Sequence, residues 1–314
     1  MEISILQFIK TRGVGSKAIR RFCSFVKQNR IDVDELRTRQ DVQFLVEEIG
    51  IKASYAEAIV AARDGAMRDW ERLRENNIQL LLIGSESYPP GLEDMLGGDA
   101  PPYLFVKGNA EILQKDCVGV CGARHASQRG LELARNIASE LAHKGIGIVS
   151  GNASGVDIVS HEATLRNGGV TIFVLPIGIL NYRARRETEM LLSCENHLIV
   201  SQFPPETMWF AHNAMTRNSL IVALSKTMLV VEAGQSGGTL AAGEKALELG
   251  QPLFAIQYAN APRTALGNEI LVRNGAIPIR RGKDGMPNLD ILIKHVKQNV
   301  RRGKRDSCVQ SLLF

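Results

Sequence analysis

Residues 118–127 have the sequence Val-Gly-Val-Cys-Gly-Ala-Arg-His-Ala-Ser and join an apolar run to a glycine-containing loop. The apolar half, residues 118–121, is typical of a strand that is buried on both faces. Gly122 ends this strand and lets the backbone pass close to a ligand. Ser127 precedes a helical pattern over residues 128–144, where its hydroxyl can cap the helix or bind an anion. Strand, glycine loop and helix in this order predict the first half of a βαβ unit.

The same alternation continues through residues 117–279 and decides the fold class. It predicts an α/β fold: an extended Rossmann-like, mostly parallel sheet with helices on both faces. The predicted strands are 118–121, 146–150, 171–175, 197–200, 228–232, 253–256 and 276–279, and the predicted helices are 128–144, 155–167, 186–195, 217–224 and 238–249.

The rest of the chain divides into three further segments. Residues 1–75 contain no proline and have apolar residues at helical spacing, which predicts a small all-helical domain. Residues 76–116 are rich in turn signals and lead into the α/β domain of residues 76–280. Residues 281–314 contain one predicted helix, 289–300, followed by a basic run and an apolar end.

A glycine turn near the N-terminus resembles a helix-hairpin-helix. Gly13 and Gly15 separate two predicted helices, 3–11 and 16–28, and Lys17, Arg20 and Arg21 follow on the second. Glycine turns point backbone N–H groups at phosphates, so these five residues are candidate accessory DNA-binding residues. The alternative is a tight helix–helix turn with a solvated basic face.

Four strand ends of the predicted sheet carry residues that suit an anion. In a parallel sheet, ligands bind where the carboxyl ends of the strands meet helix N-termini. Arg217 and Asn218 stand at the start of the predicted helix 217–224, and glycine, serine and threonine occupy the other strand-end loops. The candidate phosphate-binding residues are Gly122, Arg124, Ser127, Ser150, Gly151, Gly155, Arg217, Asn218, Ser236, Gly237 and Thr239.

Three titratable residues near these loops allow two interpretations each. Asp157 and His161 lie four residues apart on one predicted helix. They are either a functional pair, as a base or metal ligands, or a structural hydrogen bond at the helix N-terminus, which we favour. Glu232 ends a predicted strand, where it could bond a ribose hydroxyl or hold a loop.

Several common sites are excluded by their missing motifs. The glycines of residues 119–130 lack the dinucleotide-binding spacing, and neither a P-loop nor a nucleophile elbow occurs anywhere in the chain. Cys117 and Cys121 have a loosely metal-like spacing without a second pair, so buried core thiols are the expectation. These missing motifs disfavour a dinucleotide cofactor, a P-loop ATPase and an ordinary α/β-hydrolase, and no metal is expected at the two cysteines.

Charge and hydropathy suggest the compartment and the partners. The formal net charge is +5, but residues 1–30 and 280–314 each carry an excess of six positive charges, while residues 77–279 are slightly acidic. The five cysteines are an odd number, the chain opens without a signal peptide, and no apolar run is long enough to cross a membrane. A cytoplasmic protein without membrane contact is the expectation. Aromatic residues are only 5% of the chain, which argues against an extended base-stacking platform.

Taken together, these motifs resemble the DprA family of DNA-processing proteins, also called Smf. The resemblance covers about residues 80–280 and rests on motifs that occur in the family order: Tyr88-Pro89, Pro101-Pro102, Gly122-Ala-Arg124, Ser150-Gly151, Gly155-Val-Asp157, His161, Arg217-Asn218, Val231-Glu-Ala233, Ser236-Gly237 and Asn274-Gly-Ala276. It implies a Rossmann-like domain that binds single-stranded DNA, forms a homodimer and delivers DNA to a RecA-type recombinase in natural transformation. It implies neither a cofactor nor catalysis.

The chain departs from the family pattern at several positions. Ser219 replaces the second arginine of an Arg-Asn-Arg motif, and Arg183 stands where proline is usual. Such changes suit a specialised paralogue in a mobile-element or defence locus.

Two other function classes stay open. The first is a nucleotide-binding sensor or nucleotide-cleaving enzyme on a related core, although residues 236–239, Ser-Gly-Gly-Thr, lack the proline and the glutamate spacing of the cleaving enzymes. The second is a regulatory partner with a reduced DNA site; the apolar end Leu312–Phe314 could dock on that partner or could equally pack on its own domain.

Overall fold

The computed structural model describes residues 1–31, 41–282 and 285–298 of the 314-residue chain. The predicted basic run after residue 300 and the apolar end lie outside the described residues. The helices that we number are α1 Glu2–Lys10, α2 Ser16–Gln28, α3 Val42–Glu47, α4 Ala53–Ala61, α5 Arg63–Glu75, α6 Gly91–Leu96, α7 Gln128–His143, α8 Val156–Arg166, α9 Arg186–Glu189, α10 Ala211–Ala223, α11 Gly238–Glu248, α12 Leu266–Arg273 and α13 Asp290–Lys297.

Nine strands of the described chain form one sheet. They are β1 Ile78–Leu82, β2 Tyr103–Gly108, β3 Cys117–Cys121, β4 Gly147–Ser150, β5 Thr171–Val174, β6 His197–Ser201, β7 Thr227–Val230, β8 Leu253–Ile256 and β9 Ile277–Ile279. Their order across the sheet is β1-β2-β6-β5-β4-β3-β7-β8-β9. Strands β3 to β9 pair in parallel, whereas β1 and β2 form an antiparallel edge beside β6. The α/β class and the mostly parallel Rossmann-like sheet are confirmed.

The chain changes direction across the sheet at β3. From β3 it moves outward through β4, β5 and β6, and then returns to place β7 on the other side of β3. The loops that follow β3 and β7 therefore leave the sheet in opposite directions and open a crevice between them. In open α/β sheets this crevice is the usual ligand site.

Alternate residues of β3 show how the two faces are covered. Val118 and Val120 pack with α7, α8 and α13 on one face, while Cys117 and Cys121 pack with α10, α11 and α12 on the other. The two cysteines are the buried core thiols that the sequence predicted. Burial raises the pKa of the Cys117 thiol to about 12.

The helices of residues 1–75 share a core with the sheet. Ile5 and Phe22 belong to the same buried cluster as Phe105 of β2 and Phe173 of β5. The described residues of this segment are largely helical, as the sequence predicts. The helices cover the face of the sheet at its β1–β2 edge. The described part of the chain contains no helix that combines the length and the apolarity needed to cross a bilayer.

Asn268 fastens the carboxyl ends of β7 and β8 together. Its amide nitrogen donates to the carbonyls of Val231 at 2.8 Å and Ile256 at 2.9 Å, and its oxygen accepts from the backbone N–H of Ala233 at 2.8 Å. Asn268 is 3% exposed, and its side chain supplies hydrogen bonds to three backbone groups at the buried ends of these strands. One side chain thus stiffens the β7 side of the crevice.

Glu232 fixes the loop after β3, which forms the other wall of the crevice. Its carboxylate accepts hydrogen bonds from the backbone N–H of Ser127 at 2.9 Å, from the Ser127 hydroxyl at 2.5 Å and from the Thr264 hydroxyl at 2.7 Å. Ser127 also caps α7, because its hydroxyl accepts from the N–H of Gly130 at 3.0 Å. Of the two roles considered for Glu232, the structure shows the one that holds a loop.

His161 is a neutral core residue. Its Nδ1 lies 2.6 Å from the Thr171 hydroxyl, which itself donates to the carbonyl of Ile148 at 3.0 Å, so Nδ1 carries the proton and donates. The ring stacks on Phe173 with centroids 4.0 Å apart, and Nε2 is buried without a partner. Burial, and then the charge of Arg217, lowers the pKa of His161 to about 3. The predicted hydrogen bond between His161 and Asp157 does not form, and this prediction is wrong. Nδ1 of His161 is hydrogen-bonded to the Thr171 hydroxyl on β5 instead.

The low pKa of His161 predicts an acid-sensitive fold. Below pH ~6.5 the unfolded chain takes up a proton at residue 161 that the folded protein accepts only near pH 3, so stability falls as the pH falls through this window. Between pH 7 and pH 5 this residue alone should cost about 2 kcal/mol of unfolding free energy. Urea unfolding at the two pH values should show that His161→Phe removes this loss. His143→Phe, at the exposed end of α7, is the matched control, and an equal pH dependence in both variants would contradict the assignment.

Candidate functional site

Arg217 is the charged group around which the strand-end loops are arranged. Its side chain is 6% exposed, and its Nη1 lies directly over the backbone of Gly151, where any Cβ would overlap it. The expectation that Arg217 and Asn218 begin a helix is wrong, since α10 begins at Ala211 and both residues lie in its middle. The first turns of α10 are largely exposed and lack the apolar spacing on which the prediction relied.

The charge of Arg217 is only partly neutralised by the protein. Burial lowers the pKa of the guanidinium, while the nearby carboxylate of Asp157 acts to raise it. Burial likewise raises the pKa of Asp157 against the influence of Arg217 and of the Ala153 N–H, which donates to this carboxylate at 3.3 Å. Nε and Nη1 of Arg217 have no hydrogen-bond partner within the described residues. A buried cation whose Nε and Nη1 lack partners is a candidate site for an anion.

Two cavities meet at Arg217. The switch-point cavity, of about 280 Å³, lies between the loops after β3 and β7; Gly122, Arg124, Asn218, Ser236 and Thr239 are among its lining residues. The arginine cavity, of about 430 Å³, lies at the ends of β4 and β5, and its wall holds Gly151, Arg183, Arg185 and Trp209. Arg124 and Arg217 line both cavities. One ligand can therefore contact the buried and the exposed arginine together.

Close packing of two loops places Arg124. Gly155 has a φ of +81°, and a Cβ at this position would overlap the carbonyls of Ala123 and Arg124. The N–H of Val156 donates to the Ala123 carbonyl at 3.4 Å. Asn152, in the same loop, adopts a φ of +59°, which asparagine tolerates better than most residues. The loop after β4 thus supports the loop that carries Arg124 at the mouth of both cavities.

Most of the predicted phosphate-binding residues come together here. Gly122, Arg124, Arg217, Asn218, Ser236 and Thr239 line the switch-point cavity, and Gly151 lines the arginine cavity. The amide of Asn218 donates to the Gly238 carbonyl at 3.2 Å and so connects α10 to the start of α11. Gly237, with a φ of +105°, precedes that helix but does not line either cavity.

Three other predicted residues have internal roles. The Ser150 hydroxyl donates to the Val120 carbonyl at 2.6 Å and ties β4 to β3. Ser127 is engaged by Glu232, and Gly155 by the loop packing described above. Asp157 lies at the back of the switch-point cavity beside Arg217.

Sequence reasoning missed three residues of the site: Arg183, Arg185 and Trp209. Arg183 and Arg185 belong to the loop between β5 and α9, and Trp209 belongs to the loop between β6 and α10. The irregular backbone of both loops gives no periodic signal. The only indication was the cluster of arginines at 183–186, which follows a strand end in the way that phosphate-binding loops do. The predicted helix 186–195 is also much shorter, and ends at Glu189.

The accessory residues line a third, larger cavity, the interdomain cleft. This space of about 820 Å³ separates the α1–α2 turn from the chain after β6, and its wall includes Gly13, Gly15, Lys17, Arg21 and Lys52. Arg20 is placed differently from the other accessory residues. Its guanidinium donates to the carbonyls of Ala100 and Gly97, and it thereby ties α2 to the lead-in segment.

The three cavities follow one another along the side of the sheet that is formed by the carboxyl ends of its parallel strands. The switch-point cavity lies at β7 and β3, the arginine cavity at β4 and β5, and the interdomain cleft at the end of β6. All are at carboxyl ends of parallel strands. The arrangement suits an extended ligand at least as well as a compact one.

Comparison with known proteins identifies relatives of this chain. Residues 79–290 match the family model of DNA recombination-mediator protein A. Protein Smf of Escherichia coli is 35% identical over 69% of this chain and 58% of its own length, so the match spans little more than half of that relative. DNA processing protein DprA of Bacillus subtilis is 32% identical over 67% of this chain and 71% of its own.

Solved structures share the architecture. DNA processing protein A of Streptococcus pneumoniae superposes with a TM-score of 0.72 over 89% of this chain and 95% of its own, at 24% identity. DNA processing protein A of Helicobacter pylori, whose structure concerns its single-stranded DNA binding mode, superposes with a TM-score of 0.55 over 64% of this chain and 90% of its own, at 25% identity. The family model spans more than half of the chain and includes the loops around Arg217, and the chain therefore belongs to the DNA recombination-mediator protein A family.

Proposed function

We propose that this protein binds single-stranded DNA through its phosphates, along the carboxyl edge of the sheet, and does so in DNA processing during recombination. The observation that carries the proposal is the buried guanidinium of Arg217, with two unused donors at the junction of two cavities. A phosphate bound there would receive charge-assisted hydrogen bonds in a site of low dielectric. The single-stranded DNA binding mode described for the Helicobacter pylori relative supports the same ligand.

Exposed groups would extend the contact from one phosphate to a strand. Arg124, Arg183 and Arg185 are exposed around Arg217, and the loops at Gly122 and Ser236 bring backbone close to the same space. Contacts of this type hold the backbone and carry no base sequence information. A strand held mainly by its phosphates leaves most of its bases free, which suits delivery to a RecA-type recombinase. We include that partner, and a homodimeric assembly, in the proposal on the strength of the family resemblance alone.

The internal contacts of three residues favour DNA over the nucleotide alternatives. Glu232, the strand-end acid that could have bonded a ribose, is occupied by Ser127 and Thr264. His161 is enclosed in the core, and Asp157 faces Arg217. The acid and base candidates that a nucleotide-cleaving enzyme would need at these positions are therefore engaged in holding the fold.

Replacing Arg217 should remove most of the binding. Arg217→Gln deletes the buried charge, and because hydrogen bonds to charged groups contribute about 1.5–3 kcal/mol, we expect at least about tenfold weaker binding of oligo(dT). Fluorescence anisotropy at low salt measures the affinity. Arg135→Gln, an exposed arginine on α7 outside all three cavities, removes the same charge and should bind like the wild type. Equal affinities in the two variants would overturn the site.

Replacing Arg124 tests the exposed side of the same site. Arg124→Ala should weaken oligo(dT) binding by more than about tenfold, roughly 1.4 kcal/mol, and should lower the salt slope by about 0.7 because one phosphate contact is lost. Titrations at several salt concentrations measure both effects. An unchanged affinity and slope would remove Arg124 from the interface.

A competition experiment separates a strand from a nucleotide. Thymidine monophosphate should displace labelled oligo(dT) far less effectively than an unlabelled oligonucleotide does, because it reaches only one of the three cavities. Equal displacement per molecule would favour the nucleotide-binding alternative.

A further inference from the structure

The segment before α10 exposes three large apolar side chains in a row. Met208, Trp209 and Phe210 are 65%, 52% and 51% exposed, although each would gain from burial. Consecutive exposed apolar residues usually mark a contact surface. The proposed phosphate contacts do not use them, and so their exposure has no explanation in the function described above.

The backbone before Trp209 is held by hydrogen bonds to residues 178–181, which follow β5. The side-chain amide of Asn181 donates to the carbonyls of Glu206 at 2.8 Å and Thr207 at 3.1 Å. The N–H of Gly178 donates to the Thr207 carbonyl at 2.8 Å, and that of Leu180 to the Pro205 carbonyl at 3.0 Å. Trp209 therefore follows a fixed anchor, and α10 begins two residues after it. Its exposure is a property of a well-braced segment.

The indole of Trp209 lines the arginine cavity and is 52% exposed. Phe210 is stacked on His212, with centroids 5.5 Å apart and the planes at 21°, and Tyr182 packs towards Phe173 at 6.4 Å. Trp209 makes no ring contact with any other described residue. A half-exposed indole without an aromatic partner offers a base a surface for stacking.

Charge identifies the occupant of this surface. The arginine cavity is lined by Arg124, Arg183, Arg185 and Arg217 together with Trp209, and no acidic residue is among its lining. Arg183 is itself held, because its Nη1 donates to the carbonyls of Leu180 at 3.0 Å and Tyr182 at 2.7 Å. An apolar protein surface would have to approach four positive charges. A single strand supplies a flat base and flanking phosphates in one repeat, and it therefore complements both features.

We infer that Trp209 stacks on a base of the bound strand, next to the phosphate that Arg217 holds. This inference rests on the proposed function and adds to it a requirement for the base itself. Phosphate contacts alone would hold an abasic strand as well as a normal one. With Trp209 in place, the protein distinguishes DNA from other polyanions without selecting a sequence, since every base has a flat face.

Fluorescence tests the stacking directly. The chain contains two tryptophans, so Trp70→Phe leaves Trp209 as the single emitter. Oligo(dT) of twelve nucleotides should quench this emission, while an oligomer of equal length and charge made of abasic residues should leave it nearly unchanged. Equal quenching by the two oligomers, or none by oligo(dT) at saturation, would overturn the inference.

Affinity provides a second, independent readout. Trp209→Leu, which keeps an apolar side chain, should weaken oligo(dT) binding about tenfold and leave abasic binding unchanged, whereas Trp209→Phe should retain most of the affinity. If Trp209→Leu has no effect while Arg217→Gln does, the stacking is wrong and the phosphate site stands. If neither variant matters, the proposed function itself fails.

Self-association is the competing use of this surface. Analytical ultracentrifugation of the wild type and of Trp209→Leu, without DNA, measures it. An unchanged assembly state supports the base as the occupant. A variant that dissociates, and that loses oligo(dT) and abasic binding to the same extent, would instead make the segment an interface between copies and overturn the inference.

Discussion

The buried charge of Arg217 is the constraint on which the binding edge depends. Removing a guanidinium from water costs several kcal/mol unless partners compensate for it. Here the compensation is incomplete, because Asp157 acts through its charge while Nε and Nη1 lack partners among the described residues. The guanidinium is held in place by rigid elements, because Arg217 lies in the middle of α10 and its Nη1 packs against the backbone at Gly151. In the proposed function, a phosphate would meet a guanidinium that is already held in place, so little ordering would be needed on binding.

Rigidity at the strand ends comes from polar residues that do not line the switch-point cavity or the arginine cavity. Asn268 bonds three backbone groups of the β7 and β8 ends, and Glu232 joins the end of β7 to the start of α7. Both side chains are buried and have partners, so they stabilise one arrangement of the loops rather than several. The charged and polar groups at the crevice therefore have two different roles. Acidic and amide groups are used internally, and positive charge remains for the outside.

The sequence predicted the sheet well and the site in part, for identifiable reasons. Apolar runs that end in glycine, such as 118–122, depend on local chemistry and predict strands and loops without knowledge of the fold. The position of Arg217 depends on where α10 begins, and exposed residues such as Ala211 and His212 carry no periodic signal for that start. The Asp157–His161 bond failed because Thr171, ten residues further along, competes for the same imidazole nitrogen. Trp209 was missed because the aromatic fraction of the chain does not show where each aromatic residue lies in the fold.

Placement also resolves the contrast between net charge and binding. Residues 77–279 are slightly acidic as a segment, yet the arginine cavity within them is lined by four arginines and by no acid. A field depends on the charges nearest to it, and at physiological salt those beyond about 8 Å are strongly screened. The basic turn at Lys17 and Arg21 lies at the other end of the same edge, beside the interdomain cleft. A strand that leaves the arginine cavity in the direction of β6 would therefore meet positive charge again. The two basic regions, separate in sequence, form successive parts of one electrostatic path because the sheet order places β6 and the N-terminal helices next to β5.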